Sequence, residues 1–412
     1  MFKDRHLLHI YAIVFIDVVV GSIIGPVLPQ FVRGYSQPQL WLALGTSLFL
    51  GVQLISAPLL GKLSDTYGRK PSFRISSVGT FLANCLLLPV QMGMYLTNRL
   101  SDGLTNGLYA TVRSAITDIS PKENLFRNLG VEGAIIAIGL VVGPAVAGIL
   151  ITTLDLTDSL EQVRYVVMMA VGLSALNVLL SFLLRETYRP ANRPNSADIS
   201  RAELKTELLH SLNVSSILGR LRQKEKEHPG LLKLVLMQVA LTGAIGYYHY
   251  FVAYVSLGPL QMNTKDISYS FMYFGGLSVA TNYGFYGFLA DRINQRRAIF
   301  WFAVVGAPVL AAYGLVGTSQ VWLYVIITID CLTYSLIQGL IEGLIAHKTT
   351  DTDRGEVFGL NQAMQGLASF GTTLVFGALS IIDLRLPFVW FAACLAFVAW
   401  LAQSGVNEPV SQ

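Results

Sequence analysis

Apolar stretches of about 20 residues recur from one end of this 412-residue chain to the other. That recurrence narrows the fold more than any other feature. A helix rises 1.5 Å per residue, so about 20 residues cover a hydrocarbon core roughly 30 Å thick. Twelve such stretches read at 7–28, 39–60, 72–91, 94–117, 130–152 and 163–184, then at 231–255, 268–289, 297–316, 320–345, 357–380 and 386–405. With 53% hydrophobic and only 13% charged residues, the chain carries more apolar surface than a soluble core encloses, and the bilayer must be its solvent.

The start, Met1-Phe2-Lys3-Asp4-Arg5-His6, resembles a leader. The apolar run behind it continues past Leu28 without a small-residue cleavage site. It is therefore expected to remain as the first span. If the N-terminus is cytoplasmic, 24 of the 29 lysines and arginines fall on the inner side; Arg33, Arg164, Lys265 and Arg385 fall outside and Arg99 lies within a span. This bias places both termini in the cytoplasm. The formal charge of +4 thus speaks to topology and not to nucleic acid, which is not an expected partner.

A polar stretch after the sixth span divides the chain into a bundle over 1–184, a cytoplasmic linker over 185–230 and a second bundle over 231–412. Leu204, Leu208, Leu209 and Leu212 recur in the linker at helical spacing, which predicts a helix lying on the surface. Cys85, Cys331 and Cys394 sit in apolar segments far from metal-like spacings and read as small core residues. The six histidines are scattered, so no metal site is expected. Neither a nucleophile–base pairing nor a phosphate loop marks these spans, and an enzyme is not expected.

The two halves echo each other. Gly61-Lys-Leu-Ser-Asp65 closes span two and Gly287-Phe-Leu-Ala-Asp291 closes span eight, each followed by a basic pair. Asp118-Ile-Ser-Pro121-Lys-Glu123 after span four pairs with Asp351-Thr-Asp353-Arg354-Gly355-Glu356 after span ten. Duplicated six-span halves mark secondary transporters. The expected fold class is an all-α membrane protein, twelve transmembrane helices in two pseudo-symmetric six-helix bundles.

Residues 61–71, Gly-Lys-Leu-Ser-Asp-Thr-Tyr-Gly-Arg-Lys-Pro, form a tight charged inner loop in which Gly61 and Gly68 permit turning and close approach. Asp65 is suited to a neighbouring helix N-terminus. At this place between spans two and three the loop resembles the signature of the major facilitator superfamily, and the resemblance extends over essentially the whole chain. It implies a cytoplasmic gate formed by Gly61, Asp65, Gly68, Arg69 and, in the repeat, Asp291.

Span one holds Asp17, Gly21, Gly25, Pro26 and Pro29, a pattern similar to that of the drug and proton antiporters of this superfamily, tetracycline exporters included. A carboxylate near the midplane is costly unless it is paired, hydrated or neutralised by a proton, so a functional role is the default. Arg99-Leu-Ser-Asp102-Gly103 in span four resembles the Arg-x-x-Gln-Gly motif tied to proton coupling, with Asp102 in place of glutamine. Gly139, Gly143, Pro144 and Gly148 in span five are similar to the antiporter motif of exporters, although Ala147 stands where glycine is usual. Small residues there let helices approach, and Pro144 removes a backbone donor. Glu186-Thr187 also resembles this branch, and the Pro-Glu-Ser-Pro-Arg ending of sugar porters is missing.

In the second half Asp330 lies mid-span, which makes Asp17, Arg99, Asp102 and Asp330 the proton-coupling candidates. Candidate cavity residues are Gln53, Gln238, Tyr247, His249, Tyr250, Asn282, Gln338 and Gln362, amide and aromatic groups suited to an amphipathic ligand. Tyrosines near span ends equally suit an interfacial belt. The expected activity is proton-coupled efflux of a small amphipathic compound or drug by alternating access, with no cofactor. Protons, substrate and the bilayer are the partners of a monomer in a bacterial inner membrane. The alternative is movement of a metabolite, organic anion or lipid by the same fold.

Overall fold

The computed structural model describes residues 5–121, 124–188, 213–288, 293–350 and 353–403. Among the described residues the chain is helical, with fourteen α-helices. These are α1 (Arg5–Ile23, continued by a 3-10 turn Gly25–Phe31), α2 (Pro38–Tyr67), α3 (Arg69–Cys85), α4 (Met92–Thr105), α5 (Leu108–Ile119), α6 (Leu125–Thr153) and α7 (Ser159–Leu183). Then follow α8 (Val214–Glu227), α9 (Leu231–Leu257), α10 (Thr264–Phe288), α11 (Gln295–Ala312), α12 (Gln320–Lys348), α13 (Arg354–Ile382) and α14 (Leu386–Gln403). With α4 and α5 counted as one interrupted span and α8 set apart, they make the twelve spans of an all-α membrane protein. Nine described helices are long and apolar enough to cross a bilayer by length and composition alone.

Span four, expected as one helix over 94–117, is two. Asn106 leaves the helical region at ψ 67° and Gly107 is the N-cap before α5. A Cβ on Gly107 would sit 2.6 Å from Leu60, so only glycine lets this break press against α2. Gln53 of α2 donates to the Asn106 side-chain oxygen at 3.1 Å and to its carbonyl at 3.4 Å. A backbone group freed inside a membrane must find such a partner. Helix α3 also ends earlier than expected, at Cys85. Elsewhere the helix starts have ordinary chemical causes: Asp158 accepts from the amides of Leu160 and Glu161, and Asn294 and Ser319 cap α11 and α12 in the same way.

The chain groups into two compact units. The first holds residues up to Tyr35, Gly45 to the end of α7, and Asn263–Gly275; the second holds Ser36–Leu44, Asn213–Met262 and the chain from Gly276 onward. Within the first, α1 packs along α6 and α7, and α3 along α7. Ile10, Ile13, Val14 and Val18 of α1 meet Phe73, Leu108, Val112 and Ile116 in a core closed to solvent. Lipid offers no hydrophobic drive between helices, so tight van der Waals contact must hold this bundle.

In the second unit α9 is central, touching α12, α13 and α14, while α11 packs along α14 and α12. Its interior is aromatic: Tyr254 meets Phe388 edge-on at 4.7 Å, and Tyr250 sits among Phe376, Phe388 and Phe391 at 5.5–6.3 Å. Such pairs add stabilisation beyond their buried area. Leu204, Leu208, Leu209 and Leu212 lie outside the described residues. Helix α8, which belongs to the second unit, buries Ile217 and Leu221 against Val235 of α9 and Leu360 of α13. Its polar face carries Arg220, Arg222, Lys224 and Lys226.

Candidate functional site

Asp17 is placed by α1 inside the first unit, 8% exposed. The Asn177 side-chain amide of α7 donates to its Oδ1 at 3.4 Å, and the Tyr109 hydroxyl of α5 donates to the same carboxylate. Asp102 of α4 is within electrostatic range of Asp17 and accepts from Thr80 of α3 at 3.3 Å. Arg99 stays one helical turn away from that carboxylate: its Nε donates to Asn98 at 2.7 Å and its guanidinium lies 5.7 Å from the Phe49 ring. Asp17, Asp102 and Arg99 thus fall in one neighbourhood of one unit, and Asp330 falls in the other unit.

Two further groups join the cluster, and a third lies within electrostatic reach of it. Tyr109 and Asn177 are its hydrogen-bonding members. Glu132 of α6, 2% exposed, acts on Tyr109 together with Asp17 and Asp102. Tyr109 and Asn177 carry no signal in a single sequence. Glu132 does: it interrupts the apolar run Gly130-Val-Glu-Gly-Ala-Ile-Ile-Ala, and the rule that singles out Asp17 applies to it equally.

The α6 glycines lie against α1 and explain themselves by distance. A Cβ on Gly139 would approach Val18 to 2.8 Å, and one on Gly143 would meet the Ser22 hydroxyl, the Ile23 nitrogen at 2.7 Å and the Val19 carbonyl at 2.8 Å. Ser22 donates to the Gly139 carbonyl at 3.0 Å, a polar link that only such close helices can form. Gly148 faces Ser268, in the part of α10 that belongs to the same unit, at 3.0 Å. Pro144 lies within α6, and Ala147 is fully buried on it.

At the charged loop, Gly68 adopts φ 103°, a left-handed conformation, and a Cβ there would strike Glu186 at 2.5 Å. That carboxylate accepts from the amides of Arg69 at 2.8 Å and Lys70 at 3.1 Å. Glu186 therefore caps α3, the helix start for which Asp65 was the suited partner in sequence. Asp65 stands instead on the exposed last turn of α2 and pairs with Arg69 four residues on. The Arg69 side chain is buried, donating through Nε to Asp118 at 2.8 Å and through Nη1 to Ser64 at 3.1 Å, with the Tyr188 ring 4.7 Å away. Gly61 has open space around it. Asp291, Lys122, Glu123 and Asp351 lie outside the described residues.

In the second unit Asp330 of α12 is fully buried and accepts from the Tyr313 hydroxyl at 3.0 Å. Tyr247 of α9 stacks on Tyr313 at 5.7 Å and meets Tyr334 edge-on at the same distance, so Tyr247 belongs to the packing around Asp330. Tyr250 donates to the Leu384 carbonyl at 2.8 Å from inside the aromatic core, while His249 is exposed. Gln238 is buried and donates to Gln365 at 3.4 Å; Gln338 donates to Glu342 at 3.2 Å on its own helix. Asn282 donates to the Ser278 carbonyl one turn back, and Gln362 is exposed. Gln53, in the first unit, is engaged at the α4–α5 break.

Next to α13, Glu227, His228 and Asp353 offer ligand atoms within 4.8 Å of one another. Lys224 is among them, 2.7 Å from Glu227 and 3.6 Å from Asp353, and supplies the positive charge itself. Hydrogen bonds from Thr350 and then from His228 hold the Asp353 carboxyl below the usual carboxylate range. Arg220 reaches Glu356 at 2.7 Å, so α8 is tied to the start of α13 by ion pairs as well as by Ile217 and Leu221.

The model of the Major Facilitator Superfamily matches residues 10–373. The chain is 26% identical over 412 aligned positions to the class E tetracycline resistance protein of Escherichia coli, covering 97% of this chain and 94% of that one. It is 32% identical over 151 residues to the class H tetracycline resistance protein of Pasteurella multocida, a match spanning 36% of this chain and 38% of that relative. Among solved structures, the human organic anion transporter MFSD10 (TETRAN) superposes with a TM-score of 0.68 at 17% identity, over 98% of this chain and all of that one. The helices, the carboxylates within them and the matched span of sequence have one reading: this chain belongs to the Major Facilitator Superfamily of multi-pass membrane transporters.

Proposed function

We propose that this transporter exports a small amphipathic compound in exchange for protons, from a bacterial inner membrane with both termini in the cytoplasm. The observation that carries this reading is Asp17: a mid-span carboxylate, nearly closed to solvent, held by one amide and one tyrosine and having Asp102 as its charged neighbour. No cation is paired with it at salt-bridge distance among the described residues. Such a group tolerates its burial best when it can take a proton. In the cycle, Asp17 releases its proton to the cytoplasm, substrate enters, and a proton from outside resets the empty carrier. The small-residue face of α6 against α1 lets the carboxylate-bearing helix sit close to a helix that must move with it. Full-length similarity to a tetracycline resistance protein supports the substrate class.

Everted vesicles with an acid interior test the reading. Tetracycline and other amphipathic drugs should collapse the gradient with wild-type protein and not with Asp17→Asn. Unchanged proton-coupled transport by Asp17→Asn removes Asp17 from the mechanism. Silence of wild type toward every drug, with folded protein present, moves the substrate to a metabolite, organic anion or lipid carried by the same fold.

A further inference from the structure

Between the end of α11 and the start of α12, the second unit carries an open groove of about 390 Å³. Every residue that lines it is apolar or aromatic, among them Pro308 and Ala312 of α11, Leu315 of the 3-10 turn Tyr313–Leu315, and Trp322, Val325 and Ile329 of α12. The two helices cross closely deeper in the bundle, where a Cβ on Gly306 would come within 3.3 Å of the Thr333 hydroxyl. Beyond that crossing Pro308 withholds a backbone donor, α11 tightens into the 3-10 turn, and the chain reverses at Gly317, φ 59°. Leu315 and Trp322 stand 80% and 62% exposed at the groove mouth.

In a bilayer these walls face hydrocarbon. From Gln320 to Ile329 α12 rises about 14 Å, close to the ~15 Å that one leaflet contributes to the hydrocarbon core. The groove thus reaches from the helix ends to near the midplane, the depth that one acyl chain occupies. A cation stands at its rim. The Cβ and carbonyl oxygen of Arg385 lie 3.3 and 3.6 Å from the Cβ position of Gly314, the residue before Leu315. The Arg385 side chain is exposed and enters no ion pair among the described residues. Asp383, two residues earlier, accepts from its backbone amide at 2.7 Å. An apolar slot of one-leaflet depth with a free guanidinium at its outer end complements a phospholipid, whose chains lie below an anionic phosphate. Trp322, at the start of α12, suits the level where headgroups begin.

We propose that this groove binds one anionic phospholipid of the outer leaflet, an acyl chain lying between α11 and α12 and the phosphate at the Arg385 guanidinium. The leaflet follows from the orientation proposed above; the lipid and its two contacts do not depend on it. A zwitterionic lipid offers the same chain with a cation beside its phosphate, and one arginine near the surface is worth about a fivefold preference for the anionic lipid. A second copy of this chain could cover the groove as well, but without answering to headgroup charge.

Tryptophan quenching tests the site in the full-length protein. Variants that keep either Trp322 or Trp400 as the sole tryptophan, the others replaced by phenylalanine, are placed in phosphatidylcholine vesicles. These contain a minor fraction of acyl-brominated phosphatidylglycerol or, in parallel, of acyl-brominated phosphatidylcholine. Bromine quenches an indole only at contact. Trp322 should be quenched as if phosphatidylglycerol were enriched about fivefold over its bulk fraction. Arg385→Gln should abolish that preference, and Ala312→Phe, which fills the groove, should abolish the excess quenching itself. Trp400, 64% exposed toward the far end of α14, should respond to neither substitution. Circular dichroism checks helix content, and Arg385→Gln, at an exposed position, decides the matter alone if Ala312→Phe does not fold. Equal quenching of Trp322 by the two lipids, or a preference that survives Arg385→Gln, overturns the proposal. Trp322 quenching that falls as protein is concentrated in the membrane, whatever the headgroup, assigns the groove to a second copy and overturns it too.

Discussion

Gly143→Ala puts the closeness of α1 and α6 to a quantitative test. The added Cβ would lie 2.7 Å from the Ile23 nitrogen and 2.8 Å from the Val19 carbonyl, both backbone atoms that no rotamer change can move. Restoring ordinary contact requires the helices to part by about 0.6 Å, and overpacking of this kind costs about 1–3 kcal/mol. Parting also weakens the Ser22 bond to the Gly139 carbonyl, at 3.0 Å, worth about 1 kcal/mol. Alanine returns roughly 0.5–1 kcal/mol through its better helix propensity, for a net loss of about 2 kcal/mol. At about 2–4 °C per kcal/mol for a unit of this size, the melting temperature should fall by about 4–8 °C. Gly133→Ala is the control: it lies on the same helix with nothing within 4 Å of its Cβ, and only the helix-propensity gain applies. Tryptophan fluorescence or a thiol-free dye melt of the purified protein reads both. If Gly143→Ala melts with Gly133→Ala, the α1–α6 contact does not carry the strain described, and the small-residue motif has no packing role here.

Arg69→Ala leaves Asp118, 20% exposed, without its cation; a fully buried broken pair costs about 3–5 kcal/mol, and partial solvation reduces this to roughly 1–3 kcal/mol. Arg69→Lys should recover little, because an ammonium cannot serve Asp118, Ser64 and Asp65 together, and thermal melts of both variants check this. Gly230→Ala forces a side chain into φ 86° at the start of α9, costing about 1–2 kcal/mol, and Gly230→Asn should lose less. The Asp353 carboxyl is held below its usual range by Thr350 and His228. A depressed acid stabilises the fold at pH above its unfolded pKa, near 3.9, and loses that stabilisation only as pH falls through the lower folded value. Hydrogen exchange of the α8 amides should therefore stay slow down to about pH 4, and Asp353→Asn should speed it at neutral pH; equal rates in both proteins refute the α8–α13 tie.

Much of this molecule is legible without coordinates because a bilayer imposes a one-dimensional rule. Each span must be long and apolar, every span must close its own hydrogen bonds, and basic residues gather on one side. Those constraints act on composition along the chain, so the twelve spans and the carboxylates inside them can be read from residue order. The glycines of α6 could be marked as an interface for the same reason, since small residues at helical spacing have few other uses.

What tertiary structure alone decided is which polar groups share a pocket. Asp17, Asn177 and Tyr109 are brought from α1, α7 and α5, and no local pattern relates positions so far apart in sequence. The break at Asn106–Gly107 depends on Gln53 of α2 to receive the freed groups, and the cap of α3 falls to Glu186 because Asp65 stands on the solvent side of α2. Tyr247 and Tyr250, which read equally well as cavity lining, fill the aromatic core of the second unit instead of facing open space. Hydrophobicity is a property of each residue and is written along the chain; a hydrogen bond belongs to two groups at a distance, and only the packed helices determine which two.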